Sequence, residues 1–342
     1  MAHRLTQETP SEQAGNEEEF FVADSAPSAA VVQKQSVWTK FKKTDFARNF
    51  KSNWTYLLFL IPAVVVTFIF AYIPIYGLLI AFQDYMPGDS ILNGYWIGFQ
   101  NFKEFFGNYI FWDLMANTFL LCILGFIIGF PLPIIVALML HSTKNKKLSK
   151  VLQTIFNGPH FISLVVLVGM LYLFFGRYGL VNNIIESAGG ERYSFFLEAG
   201  AFRPMYILSS NWQDFGWSSI VYLAALSGVD QAQHEAATID GASRFQRVLH
   251  VDFPAIAPIV SVMLIMSIGG LMGVGYEKVL LMQTDGNLAT SEIIATYVYK
   301  LGIKDHRQGY ATAVGLFNSV INLVLLIIAN TVSRRFSENS LF

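Results

Sequence analysis

Apolar residues gather into six long runs, at 56–82, 114–140, 152–175, 205–226, 256–282 and 310–329, with polar segments between them. Each run is long enough to cross a hydrocarbon layer of about 30 Å as a helix. Inside lipid a helix is the form that pairs its own backbone. The pattern therefore predicts an all-α membrane protein with six transmembrane helices. Ahead of the first run, residues 1–50 are polar, with Glu17, Glu18 and Glu19 and a patch rich in Ser, Ala and Pro. This stretch lacks the apolar core of a cleavable signal, and its first 30 or so residues are expected to be disordered. From Lys34 to Lys51 it turns basic, and Trp38, Phe41, Phe46 and Phe50 interleave with Lys40, Lys42, Lys43 and Arg48, as suits a juxtamembrane segment. The chain thus divides into a tail, 1–50, and a membrane domain, 51–342.

Composition agrees. Of 342 residues, 54% are hydrophobic and 14% charged, too few charges to coat a soluble domain. The net charge of -1 gives no electrostatic case for nucleic acid. Cys122, the only cysteine, lies inside an apolar run, so neither an internal disulfide nor a cysteine metal cluster can form. Placing the tail inside also places Lys144, Lys146, Lys147, Lys150, Arg244, Arg247, Arg334 and Arg335 inside. By the positive-inside rule both termini are then cytoplasmic, as is the polar segment between the fourth and fifth runs.

That segment, 229–257, carries paired helix signals. Asp230 with Gln233 can open a short helix, Asp240-Gly241 supplies a left-handed stop, and Ser243 with Gln246 opens a second helix expected to end before Pro254. Glu235 offers a charge at the edge of this elbow, and Ala236 and Ala237 permit close approach by another protein. The spacing Glu235-Ala236-Ala237, three residues, Gly241, nine residues, then Val251-Asp252-Phe253-Pro254 resembles the EAA loop of ABC-importer permeases. Val251 and Phe253 stand where Ile and Leu are commoner, and Asp252 is an unusual acid there. Further stretches resemble the carbohydrate-type permeases, in particular their polysaccharide branch. They are Tyr72-Ile73-Pro74-Ile75-Tyr76-Gly77, Gly98-Phe99-Gln100-Asn101-Phe102, Asn117-Thr118, Pro159-His160-Phe161-Ile162-Ser163 and the run from Tyr310 to Ser319.

The resemblance implies a type I importer permease in a bacterial inner membrane, whose coupling helix docks in a cleft of a cytoplasmic ATPase. It further implies a second, homologous permease subunit, two ABC ATPase subunits that bind ATP and Mg, and an external solute-binding protein. The substrate it implies is an oligo- or polysaccharide, with alginate as one candidate. Glu235, Ala236, Ala237, Asp240, Gly241, Arg244, Arg247 and Pro254 would then couple to the ATPase.

The chain's own chemistry is sparse. It has no Gly-x4-Gly-Lys-Ser/Thr phosphate loop. His234-Glu235 starts like a zinc-protease helix, but Thr238 stands where the second His belongs, so no metal ligands are expected. Gly216-Trp217-Ser218-Ser219-Ile220 fails as a nucleophile elbow at its last place, and no catalytic residue is found. Polar groups in a span mark a pathway or a packing contact. Asn211, Trp212, Gln213, Asp214 and Trp217 in the fourth run, and Tyr276, Glu277 and Lys278 in the fifth, can serve either. Aromatic faces beside amides and carboxylates suit a saccharide, whereas interface belts and internal pairing would be structural. His160 reads as a helix-end hydrogen bond, and Gly125 and Gly129 before Pro131 and Pro133 read as a close, kinked helix contact. An ion-driven secondary carrier is the competing function, and an intramembrane enzyme a third.

Overall fold

The computed structural model of the chain describes residues 45–336. The expected disordered tail, 1–30, and Trp38, Lys40, Phe41, Lys42 and Lys43 lie outside the described residues. Two units emerge, one ending at Thr67 and one starting at Phe68. In the first, α1 (Asp45–Thr67) carries the last part of the basic segment directly into apolar sequence as one helix.

The second unit opens with a π turn, Phe68–Tyr72, and a 3-10 helix, Ile73–Phe82, the latter started by Pro74, whose missing N–H costs nothing at a helix start. A two-residue antiparallel ladder follows, β1 (Gln83–Asp84) with β2 (Tyr95–Trp96), in register Gln83 to Trp96 and Asp84 to Tyr95. This short ladder is the one strand pairing among the described residues, and the chain is otherwise helical, as the all-α expectation has it. The Asn101 amide nitrogen fastens the turn from behind, donating to the carbonyls of Ala81 at 2.9 Å and Gln83 at 3.3 Å. After it come α2 (Gln100–Gly107), α3 (Phe111–Gly129), α4 (Pro131–Ser142), α5 (Lys146–Asn157), α6 (Leu164–Phe175), α7 (Leu180–Ser187) and α8 (Ala199–Leu226). The chain ends with α9 (Gln231–Ile239), α10 (Arg244–Arg247), α11 (Phe253–Gly269), α12 (Tyr276–Met282), α13 (Leu288–Ser291), α14 (Ile294–Tyr299) and α15 (Gln308–Phe336).

Among the described residues, five helical runs are long and apolar enough to cross a membrane: Trp54–Phe82, Phe111–Ser142, Leu164–Ser187, Arg244–Gly269 and Gln308–Thr331. The expected fourth run lies within α8, 28 residues long, which has the length but not the apolarity because Ser209 to Asp214 interrupts it. Two other runs have different bounds from those predicted. The run 152–175 is split by a 3-10 turn, Gly158–Phe161, set by Pro159, and Ser163 then caps α6 with its hydroxyl. The run 256–282 breaks after Gly269 within the Gly-rich stretch, leaving α12 as a separate piece.

Helices α4 and α8 pack along most of the length of α4. At their loop end, Ile134, Ala137, Tyr222, Leu226 and Ile256 form one core cluster. A second cluster joins Leu121, Val168, Phe202, Met205, Val279 and Met282, and a third joins Phe105, Leu114, Met272, Ile294, Tyr310 and Val314. Where α8 meets α5, a Cβ on Gly216 would overlap the carbonyl oxygen of Phe156, so only glycine fits there. Gly129 likewise lies against the Asn211 side chain, whereas Gly125 faces open space, so one half of the expected glycine pair makes the close contact. Asn117 and Thr118 on α3 hold the α13–α14 joint. The Asn117 amide donates to the carbonyls of Ala289 at 2.9 Å and Glu292 at 3.0 Å, and the Thr118 hydroxyl accepts from the Ile294 N–H at 3.0 Å. Arg203 donates to the Asn117 oxygen at 2.7 Å from α8.

Candidate functional site

The segment 230–254 folds as a capped elbow. Asp230 starts α9 by accepting from the Ala232 N–H at 2.9 Å, a simple cap without the reciprocal Gln233 arm. The helix stops at Gly241, whose φ of +79° is open to glycine at little cost. The Gly241 and Ala242 N–H groups turn back to the carbonyls of Thr238 at 3.1 Å and Ala237 at 2.9 Å, closing the last turn as a Schellman motif. Ser243 and Gln246 make the full reciprocal box that opens α10. The second helix does not end before Pro254. A π turn, Val248–Asp252, carries it into α11, and the Phe253 N–H reaches back to the Val248 carbonyl. The wider turn makes room for the proline ring, which sits in the first turn of α11, so the helical run is continuous from Arg244 to Gly269.

Glu235, Ala236, Asp240, Gly241, Arg244 and Pro254 are exposed, and Ala237 is half-buried. Glu235 makes no ion pair among the described residues. Arg247 is occupied, donating from Nη1 to the Thr238 hydroxyl at 2.8 Å and so bracing one arm of the elbow against the other. Two apolar side chains join the exposed set, Ile239 at 87% and Phe245 at 74% exposure. Sequence reasoning passed over both. The available signal was their apolarity within an otherwise polar, capped loop. Asp252, read as an acid that could alter the fit to a partner, points inward instead, at 1% exposure between His141 and His234.

The polar positions of α8 separate by face. Gln213 is buried and donates to the Ile162 carbonyl at 2.8 Å, and Asn211 donates to its own helix at Ile207, 2.9 Å away. Both brace the fold. Trp212, Asp214 and Trp217 are exposed. His160 lies 3.1 Å from Asp214 Oδ1 and stacks on Trp217, with ring centroids 4.6 Å apart and planes 4° apart. The helix-end role read for His160 is thus replaced by a carboxylate partner from another helix. The two tryptophans face different spaces. Trp212 borders an apolar cavity of about 760 Å³ with Phe174, Phe175 and Tyr193, and Trp217 borders one of about 420 Å³ with Phe130, Tyr222 and Ser267. Lys278 is buried, donating to Ser210 at 2.7 Å with its nitrogen 5.2 Å from the Tyr206 ring centre, and does not pair with Glu277, which is exposed. Tyr276 stacks on Tyr299 at 5.4 Å. The structure therefore gathers Asp214 and Trp217 with His160, brings Lys278 to Ser210 one helical turn away and within electrostatic reach of Asp214, and leaves Tyr276 and Glu277 apart from them. A part-buried ion pair, Glu292 with Lys300, supported by Thr296 at 3.0 Å from Glu292, was missed because its members are distant from any motif.

Residues 129–338 match the family described as the binding-protein-dependent transport system inner membrane component. Protein LplB of Bacillus subtilis is 41% identical over 293 residues, 85% of this chain and 92% of that protein. The polygalacturonan/rhamnogalacturonan transport system permease protein YteP of the same organism is 38% identical over 302 residues, 88% of this chain and 94% of its own length. Among solved structures, a chain of a bacterial ABC transporter that imports the acidic polysaccharide alginate superposes with a TM-score of 0.78 at 36% identity. The superposition covers 86% of this chain and all of that one. The same kind of transporter, bound to an alginate pentasaccharide-loaded periplasmic protein, gives 0.79 at 35% identity, over 87% of this chain and all of its counterpart. A family match over more than half the sequence, relatives that span most of it and a helical fold of the same type agree, and the chain belongs to the inner-membrane permeases of binding-protein-dependent ABC importers.

Proposed function

We propose that this chain is one half of the translocation path of an ATP-driven importer that takes an oligo- or polysaccharide from an external solute-binding protein. The observation that carries the reading is the elbow at 230–254, rigid in itself yet presenting Glu235, Ile239 and Phe245 unpartnered. Burying apolar side chains of that size contributes about 1.5–3 kcal/mol each, which suits a docking surface. Its natural partner is a cytoplasmic ABC ATPase, one of two that hold ATP and Mg, with a second homologous permease completing the membrane part. Helix α8 supplies the remaining membrane crossing in this arrangement, both termini are cytoplasmic, and closure of the ATPases moves the elbow and the helices it joins.

The saccharide class is supported by what the relatives carry, polygalacturonan or rhamnogalacturonan in one and alginate in another. An acidic polysaccharide such as alginate is accordingly the substrate proposed. On α8, Asp214 and Trp217 with His160 offer hydroxyl acceptors and an aromatic face to such a ligand. The ion-driven carrier gains nothing from the family found. The test is ATP hydrolysis by the assembled complex in lipid, with and without loaded binding protein, for the native chain and for Glu235→Ala. Stimulation by loaded binding protein, weakened several-fold by the substitution, is expected. Equal stimulation of both would remove Glu235 from the contact, and no copurifying ATPase would overturn the proposal.

A further inference from the structure

Behind the elbow, three segments bring three ligating side chains to one point. His141 comes from the last turn of α4, His234 from α9 and Asp252 from the π turn before α11. His234 Nε2 lies 3.0 Å and His141 Nε2 3.7 Å from the same Asp252 oxygen, and one ligating atom from each residue lies within 4.8 Å of the others. Asp252 is 1% exposed, and neither its Oδ1 nor His234 Nε2 makes a hydrogen bond of acceptable geometry despite their closeness. A buried carboxylate oxygen without a hydrogen bond is costly.

We propose that His141, His234 and Asp252 form a site for a divalent transition-metal ion of the zinc class, which clasps the elbow to the end of α4. At metal bonds of about 2.0–2.1 Å, tetrahedral ligands stand about 3.4 Å apart, and the 3.0 and 3.7 Å separations bracket that spacing. The ligating atoms of the two histidines lie within 4.8 Å of each other, and binding would require them to close to the same spacing. Two imidazoles and a single carboxylate suit zinc and its neighbours, whereas calcium and magnesium call for oxygen ligands. The fourth position opens on a cavity of about 340 Å³, which gives the ion an entry path and a place for water. Lys144, Lys146, Arg244 and Arg247 border the same cavity; the first three are exposed, so solvent and salt screen them, and Arg247 is half-buried with its Nη1 on the Thr238 hydroxyl. A bound ion would tie three segments together at one point, setting how freely the elbow moves against the membrane helix. The site stands on its own geometry, whatever docks on the elbow's outer face.

The test uses the full chain in lipid nanodiscs with the subunits that copurify, stripped by chelator and titrated with zinc or cobalt(II). Native protein is expected to retain one more equivalent of zinc per chain than His234→Gln or Asp252→Asn, and to give visible cobalt bands of tetrahedral type that both variants lose. Zinc should also raise the thermal midpoint of the native protein alone. His234→Gln, a change in the loop, carries the test if Asp252→Asn does not assemble. Equal metal content in native and variant protein, or cobalt bands absent from the native or kept in the variant, would overturn the proposal and leave a histidine–carboxylate cluster.

Discussion

The elbow at 230–254 and the polar stretch of α8 look alike as sequence, each a cluster of polar residues between apolar runs, but they use those residues in opposite ways. On α8 the amides are consumed internally, Gln213 by Ile162 and Asn211 by its own helix, and Lys278 from α12 is taken up by Ser210. In the elbow the internal bonds are made by caps, by Thr238 and by Arg247, and Glu235, Ile239 and Phe245 are left over. A polar residue in a helical membrane protein marks an external contact when the fold has already been satisfied without it. Where the fold needs it, it marks packing.

The sharpest way to break this comparison is at Gly216, where α8 touches the α5 backbone. Gly216→Leu should cost at least about 3 kcal/mol, the upper end of overpacking penalties, and appear as loss of monodisperse protein after detergent extraction. A native melting profile would show that the two helices are not held this closely. Next in size is Gly241→Val, which forces a β-branched residue to a φ of +79° at a local cost of about 1–2 kcal/mol. The chain should still insert and assemble, with transport-coupled ATP hydrolysis lost. Coupling that survives would mean the elbow's angle is not what transmits movement.

The changes smallest in their effect on transport separate packing from path on α8 itself. Gln213→Leu leaves the Ile162 carbonyl without its partner, at a cost of about 1–3 kcal/mol. It should lower the melting midpoint and leave the transport KM unchanged. Trp217→Ala should raise the transport KM several-fold with a smaller change in melting, read in a vesicle uptake assay. The reverse pattern would exchange the roles of the two residues.

Much of this was legible in the sequence because it is local. The helical character of the apolar runs, the Gly241 stop and the Ser243–Gln246 box depend on residues a few positions apart, and each appears in the fold. The boundaries that shifted did so where local rules compete. A π turn let the helix pass Pro254, and Pro159 and the Gly-rich stretch after Gly269 divided runs that hydropathy alone had joined. What spacing could not reveal was convergence. His160 with Asp214, His141 with Asp252, and Glu292 with Lys300 meet through tertiary packing, and no periodic signal along the chain records such meetings. The division of α8 into a packing face and an open face was hidden for the same reason.

The tie between α3 and the α13–α14 joint also has a meaning in time. The Asn117 amide is made early, and its acceptors Ala289 and Glu292 lie 172 and 175 residues further on. At roughly 5–20 residues per second, synthesis leaves that side chain waiting on the order of ten to thirty seconds before its final partners emerge. Through that interval α3 must be sheltered by water, by the insertion machinery or by Arg203, which arrives about halfway. The order of synthesis thus makes the chain's second half the custodian of a bond that its first half cannot complete alone.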